Sequence, residues 1–331
     1  MNPSADVWSE WLHHHRHGGD PNHERVVCNL VHRILNRVLD GANLSAGMVL
    51  VDVGSGDGII TFEAFERIGH SLKAVLTDIS EPLLNHAKEH AIKLGVREQC
   101  SFIQTSAERL DGVADESADV LTTRAVFAYV ADKAAAARQF YRVLKQGGRI
   151  SIGEPIYQDA AVKLAALTNV LRSRPSDAVT GLARLMQRCR AAQLPSTMQE
   201  IQSNPLTNFT ERDLIILFQL VGFTDIHMEL HIDVRKGAAV PWNTFIDIAP
   251  RPGVPTLREV FAAHLNEAER QQVEQNLRPI VERGLHSERD VVAYLTAVKP
   301  TGRASNAAKQ CNTEDGFGIF ESDGQTGFVA T

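Results

Sequence analysis

Val51-Asp52-Val53-Gly54-Ser55-Gly56-Asp57-Gly58 is the stretch that decides the fold. It closes an apolar run, MVLVDV at 48–53, of the length of one buried strand, and it precedes a helical stretch from Ile59 to Ile68. The chain must turn sharply between the two. Glycine permits the unusual dihedrals of such a turn and lets a ligand approach the main chain. A second strand follows at 73–77 (KAVLT), and Asp78 closes it, twenty residues after Gly58. In a β-α-β unit that carboxylate faces the same crevice as the glycine turn and can accept both hydroxyls of a ribose. A tight structural connection is the plainer account of the glycines; the spacing of Asp78 argues against it.

Working outward, Ser80-Glu81-Pro82 starts another helix, carrying Leu83, Leu84, Ala87, Ala91 and Leu94. Strands are expected at 100–104, 118–122 and 149–153, the last just after Lys145-Gln146-Gly147-Gly148. Strands alternating with helical segments predict an α/β fold with a doubly wound, mostly parallel sheet. Two more strands at 224–235 and 289–298 bring the sheet to seven, with helices on both faces.

The flanks divide the chain further. Residues 1–46 read as an N-terminal helical cap segment: Asp20-Pro21 starts a helix, Val27, Leu30, Val31, Ile34 and Val38 form its apolar stripe, and Gly41 is placed to end it. Residues 47–155 form the nucleotide-binding core. Residues 156–208 are a helical insertion, or lid, with two expected helices. Residues 209–299 complete the sheet: an amphipathic helix from Phe209 to Phe223 ends at Gly222, and an inserted segment, 236–288, holds one long polar helix. The insertions and the N-terminal segment together form a cap over the carboxyl ends of the strands. The stretch 300–331 is rich in Gly, Ser, Asn and Thr, has no period, and is expected to be a disordered tail.

Composition narrows the function classes. The 331 residues are 44% hydrophobic, enough for a sizeable core, and 22% charged, ordinary for a globular enzyme. A formal charge of −6 gives no global basic field, so a nucleic-acid partner is not expected. No apolar run reaches the length of a membrane span, so no membrane partner is expected, and MNPSADVWSEWLHHHRH has no signal-peptide core. Cys28, Cys100, Cys189 and Cys311 lie far apart, which implies reduced thiols in a cytoplasm and neither a disulfide framework nor a zinc site.

The dinucleotide fingerprint requires Gly or Ala at the sixth position of G-x-G-x-x-G, where this chain has Ile59; there is no G-K-[ST] of a phosphate-binding loop either. The stretch instead resembles the [DE]-x-G-x-G-x-G motif of the class I, Rossmann-like S-adenosyl-L-methionine (SAM)-dependent methyltransferases. Further segments resemble the same family in order: FIQTSAERL at 102–110, ADVLTTRAVFAYV at 118–130, and FYRVLKQGGRISI at 140–152, with Gln146 where the family usually has Pro. The resemblance implies SAM as cofactor. By that resemblance Asp52 supports the glycine loop near the methionine moiety, and Gly54, Ser55, Gly56 and Gly58 let SAM lie against the backbone. Asp78 holds the ribose and Ile79 packs on the adenine. Ser106, Ala107 and Glu108 lie beside the adenine, and Thr123 lies near the methyl donor.

Candidates outside the cofactor loop carry two readings each. Arg124 can hold an acceptor carboxylate through paired hydrogen bonds, or it pairs with Glu154 or Asp119. Glu154 can serve as a base or fix an amine, or it simply pairs with Arg124. Tyr129 and Tyr157 are candidate acceptor contacts. Arg16 and His17, beside Gly18-Gly19, fit the family's habit of folding the N-terminal segment over the cofactor, with His17 a catalytic candidate and Arg16 an acceptor contact. The run His13-His14-His15-Arg16-His17 scatters its rings around a helix, so no metal site is expected. Trp242 and Phe245 either roof the acceptor or anchor the insertion. The expected reaction is direct displacement of the SAM methyl group onto a small or medium-sized metabolite. A peptide or protein acceptor and a non-catalytic SAM-binding sensor or scaffold remain alternatives; the acceptor's identity and the oligomeric state are not legible in the sequence.

Overall fold

The computed structural model describes residues 6–174 and 178–302; the expected tail lies outside the described residues from 303 onward. Seven strands form one sheet: β1 (Val49–Val53), β2 (Lys73–Asp78), β3 (Cys100–Gln104), β4 (Ala118–Arg124), β5 (Leu144–Pro155), β6 (Thr224–Lys236) and β7 (Ser287–Val298). Their order is β3-β2-β1-β4-β5-β7-β6. The first five pair in parallel, and β7 runs antiparallel to both β5 and β6. The chain order reverses between β1 and β4, so a crevice opens outside the carboxyl ends of those two strands, where doubly wound sheets bind ligands.

Twelve α-helices are described: α1 (Val7–Glu10), which runs into a π-helical turn at Trp11–His15, α2 (Pro21–Ala42), α3 (Ile59–Ile68), α4 (Glu81–Lys93), α5 (Lys133–Val143), α6 (Gln158–Arg172), α7 (Ala178–Ala191), α8 (Met198–Ser203), α9 (Glu211–Val221), α10 (Trp242–Asp247), α11 (Leu257–His264) and α12 (Glu267–Glu282). Alternation along β1 sorts the core. Val51 and Val53 face a cluster with Phe127, Phe140 and Phe218, whereas Leu50 faces one with Leu35, Val38, Phe65 and Leu76. The central strands are thereby buried on both faces, which is why β1 reads as an apolar run, whereas the edge strand β6 is largely exposed.

Helix α2 begins as expected: Asp20 accepts from the backbone N–H groups of Asn22 and His23, with Pro21 in the first turn. Gly41 does not end it. The helix continues to Ala42 and closes on Asn43 in the left-handed region, φ 50°. Gly41 instead allows close packing on the sheet, because a Cβ there would lie 2.7 Å from Ser151 Oγ and from Thr296 Cγ2.

The inserted segments hold more helix than their composition suggested. Residues 156–208 contain three helices (α6, α7, α8) where two were expected, and 236–288 contain α10 and α11 besides the long polar α12. The short helices α8 and α11 carry capping boxes at Thr197 and Thr256, as the long α12 does at Asn266, local signals that a search for long periodic stretches passes over. The two insertions also pack together. Leu185 and Cys189 of α7 share a buried cluster with Trp242, Ile246, Val260, Phe261 and Val273. Arg188 of α7 pairs with Glu269 of α12 at 2.7 Å.

Candidate active site

A cleft of about 1060 Å³ opens at the switch point. Its floor comes from the turn after β1. Gly54 and Gly56 both adopt positive φ, 64° and 56°. A Cβ on Gly54 would collide with Val126 Cγ2, while one on Gly56 would project into open space. The loop is thus pressed against the β4 end on one side and bare on the other, a cradle for a ligand laid along the backbone. Asp78 draws the same loop in: its Oδ2 accepts from Gly56 N at 2.8 Å and its Oδ1 from Ser80 N at 2.9 Å. Each oxygen keeps a further lone pair for a hydroxyl donor. Burial pushes the Asp78 carboxyl upward, and those two N–H groups pull it back.

Ile79 lies beside Asp78 with half of its surface exposed to the cleft. Ser106, Ala107 and Glu108 line the same end, and Glu108 Oε1 accepts from the backbone N–H groups of Ala131 and Asp132, each at 3.1 Å. A carboxylate for a ribose, an apolar plate and a polar rim for an adenine, and bare glycine backbone fit SAM.

Several predicted residues stand behind the cleft wall instead of lining it. Asp52 is fully buried; Oδ2 accepts from Thr61 Oγ1 at 2.9 Å and Oδ1 from Thr122 Oγ1 at 3.0 Å. Burial raises its carboxyl to about 6. It ties the first turn of α3 to β4 and so supports the loop. Ser55 turns inward, its N–H bonded to Thr77 O at 3.0 Å. Gly58 precedes α3, with φ 85°, where a Cβ would meet Phe62 at 2.5 Å. Thr123 is buried, and its hydroxyl donates to Glu154 Oε1 at 3.1 Å.

Glu154 is fully buried and forms no ion pair with Arg124. Its Oε1 also accepts from Val126 N at 3.0 Å, and its Oε2 has no partner among the described residues. Burial pushes this carboxyl up to about 7. It braces the tight turn after β4, where Ala125 sits at φ 56°, a left-handed conformation that costs a β-carbon residue about 1–2 kcal/mol. The base reading of Glu154 lacks access to the cleft. Asp119, the other partner considered for Arg124, is engaged by Lys145 at 2.7 Å and by Val49 N at 2.8 Å.

Arg124 does line the cleft, and its Nε is buried without a partner. Arg16 reaches the same space from the N-terminal segment, with its guanidinium 5.4 Å from the Trp11 ring. Burial, then repulsion from Arg124, lowers Arg16 to about 10. Tyr129 packs edge-on against Trp8, ring centroids 4.9 Å apart, and its phenol interacts electrostatically with that of Tyr157; burial raises both phenols, so both stay protonated. The Arg251 guanidinium lies 5.1 Å from the Tyr157 ring.

The N-terminal segment is held down at several points. Asp6 accepts from Ser80 Oγ, Trp11 Nε1 donates to Ala249 O at 2.8 Å, and His13 meets His86 at 2.8 Å. His17 does not line the cleft; its neighbour Gly18 approaches Thr244, where a Cβ would lie 2.5 Å from the carbonyl oxygen. The Gly18-Gly19 approach is therefore to the insertion, not to the cofactor end. Trp242 and Phe245 are likewise absent from the cleft wall. They stack at 5.9 Å, and Trp242 stacks on Phe261 at 6.4 Å inside the insertion core. Sequence reasoning missed Trp8, Trp11, Asp57 and the cleft-facing part of the α2 stripe, Val27, Leu30, Val31 and Ile34. Only the apolar spacing could have hinted at the last four, and it reads equally as core.

Residues 44–208 match the family model described as a methyltransferase domain. Over 125 residues the chain is 33% identical to the ubiquinone/menaquinone biosynthesis C-methyltransferase UbiE of Escherichia coli, covering 38% of this chain and 49% of that protein. The chain thus spans about half the length of the curated relatives it matches. Its fold is similar to that of the YcgJ protein from Bacillus subtilis, with a TM-score of 0.51 and 21% identity over 82% of this chain and all of that one. Among the described residues no helix is long and apolar enough to cross a membrane. The glycine cradle, Asp78 at the switch point and the matched domain agree, and the chain belongs to the class I, Rossmann-like SAM-dependent methyltransferases.

Proposed function

We propose that this protein transfers the methyl group of SAM to a small or medium-sized acceptor held between the cofactor end of the cleft and the N-terminal segment. The observation that carries this reading is the cleft's size and lining. About 1060 Å³ lies just above the range of roughly 300–1,000 Å³ for pockets that enclose a single ligand. The same cleft that is lined by Gly54, Gly56 and Asp78 is lined also by Arg16, Arg124, Tyr129 and Tyr157.

When bound, SAM supplies an electrophilic methyl carbon on a positively charged sulfur. The chain's own contribution is positioning. Asp78 and the glycine backbone fix the donor, while Trp8, Trp11 and Leu12 from the N-terminal segment cover the cleft and exclude water. The protonated phenols of Tyr129 and Tyr157 offer hydrogen-bond donors and cannot accept a proton at neutral pH. The test is incubation of the protein with methyl-labelled SAM and a metabolite extract, followed by mass detection of a methyl gain. Label in small molecules supports the proposal. Label confined to proteins favours a peptide or protein acceptor, and SAM binding without transfer to any fraction favours a sensor or scaffold.

A further inference from the structure

Six arginines line the cleft. Four of them are neutralised: Arg33 pairs with Asp233, Arg37 with Glu229, Arg235 with Glu288 and Asp290, and Arg289 with Asp159. Arg16 and Arg124 have no carboxylate partner among the described residues, although they are close enough to depress Arg16 by mutual repulsion. Keeping two like charges together in a partly buried space is unfavourable unless something negative joins them.

The carboxylates in the cleft wall do not fill that need. Asp78 and Glu108 are held by backbone N–H groups, Asp40 by Arg67, and Asp159, Asp233 and Asp290 by the paired arginines. Asp57 favours the charge on Arg16 from a distance but forms no ion pair with it. The cofactor does not suffice either. SAM brings one carboxylate together with an ammonium and a sulfonium, so its arrival makes the cleft more positive. The same cleft wall also carries apolar and aromatic side chains, among them Trp8, Leu12, Leu30, Ile34 and Tyr129.

Building on the methyl-transfer reading, we infer that the acceptor carries an oxyanion, a carboxylate or a phosphate, on an apolar body, and that Arg124 and Arg16 clamp that oxyanion. Planar guanidinium forks match either group through paired hydrogen bonds. The unpartnered Nε of Arg124 is one such donor, and the stacking of Arg16 on Trp11 holds the other fork in place. The positive field of the pair draws the anion in and orients the rest of the acceptor toward the cofactor end.

The experiment uses the full chain and begins with calorimetric binding of S-adenosylhomocysteine. Failure of wild type to bind it defeats the methyl-transfer reading itself, and the inference with it, before any acceptor is added. The saturated complex is then titrated with a panel of hydroxybenzoates, hydroxycinnamates and aryl phosphates, each beside its neutral amide or ester. At least one anion is expected to bind ten-fold or more tightly than its neutral partner, and the carboxylate and phosphate arms identify the head group. Arg124→Met is expected to remove that preference while S-adenosylhomocysteine affinity stays within three-fold, and Arg124→Lys to retain part of it. Arg16→Met supplies the same comparison if Arg124→Met does not fold. Equal binding of anions and neutral partners, no binding by any member of the panel, or a ten-fold loss of S-adenosylhomocysteine affinity in Arg124→Met overturns the inference.

Discussion

Glu154→Gln is expected to make the protein relatively more stable at alkaline pH than at acid pH. Burial raises the folded carboxyl from 4.5 to about 7, so the folded state holds this proton more tightly than the unfolded chain does. The stability due to that proton is fully present below the unfolded value and is lost as pH rises through about 7. The full loss is about 3 kcal/mol, at about 1.4 kcal/mol per unit of separation. Glutamine fits the geometry. Its carbonyl oxygen can replace Oε1 and accept from Thr123 Oγ1 and Val126 N, and its amide group falls where Oε2 has no partner. That unpaired amide costs about 1–3 kcal/mol at every pH and so shifts the curve without tilting it. Asp52, raised to about 6, titrates in both proteins and cancels in their difference. Urea unfolding of both proteins near about pH 5 and about pH 8 should therefore show the variant gaining about 2–3 kcal/mol on wild type across that interval. A difference that stays constant within about 0.5 kcal/mol would refute the assignment of a buried, proton-binding carboxyl at this position.

Replacing Asp78 by Ala removes hydrogen bonds to a charged group and should weaken S-adenosylhomocysteine by about 1.5–3 kcal/mol in calorimetry; unchanged affinity would sink the ribose assignment. Trp242→Ala should destabilise the protein by about 3–5 kcal/mol if the insertion core unfolds with the rest, yet leave S-adenosylhomocysteine affinity within two-fold, because Trp242 packs on Phe245 and Phe261 away from the cleft. An acceptor or cofactor defect in a stably folded Trp242→Ala protein would contradict that placement. Gly54→Ala drives a methyl group into Val126 at a positive φ and should cost both stability and cofactor affinity, read by thermal unfolding with and without ligand; wild-type behaviour would show that the loop does not need its close approach to the β4 end.

The fold was legible in the sequence because its signals are local. Apolar runs, the capping residues Asp20 and Ser80, and the glycines at 54, 56 and 58 are each dictated by the dihedrals and burial of a few consecutive residues. The cofactor end was legible for the same reason: one strand–turn–helix unit and the Asp of the next strand span fewer than about thirty residues, and β-α-β geometry fixes their relation. The acceptor end was not, because its chemistry depends on what is absent as much as on what is present. A sequence displays Arg16, Arg33, Arg37, Arg124, Arg235 and Arg289 as equivalent cations. Only the tertiary structure gives four of them carboxylates from segments far away in the chain and leaves Arg16 and Arg124 without one. The tertiary structure likewise withdrew Glu154 and Thr123 behind the sheet end and carried Trp242 into the insertion core, while it brought Trp8 and Trp11 over the cleft. Short-range dihedral preferences determine elements and their order. The pairing of charges, the burial of a carboxylate and the choice of cleft wall arise from contacts between segments far apart in the chain, which no local pattern encodes.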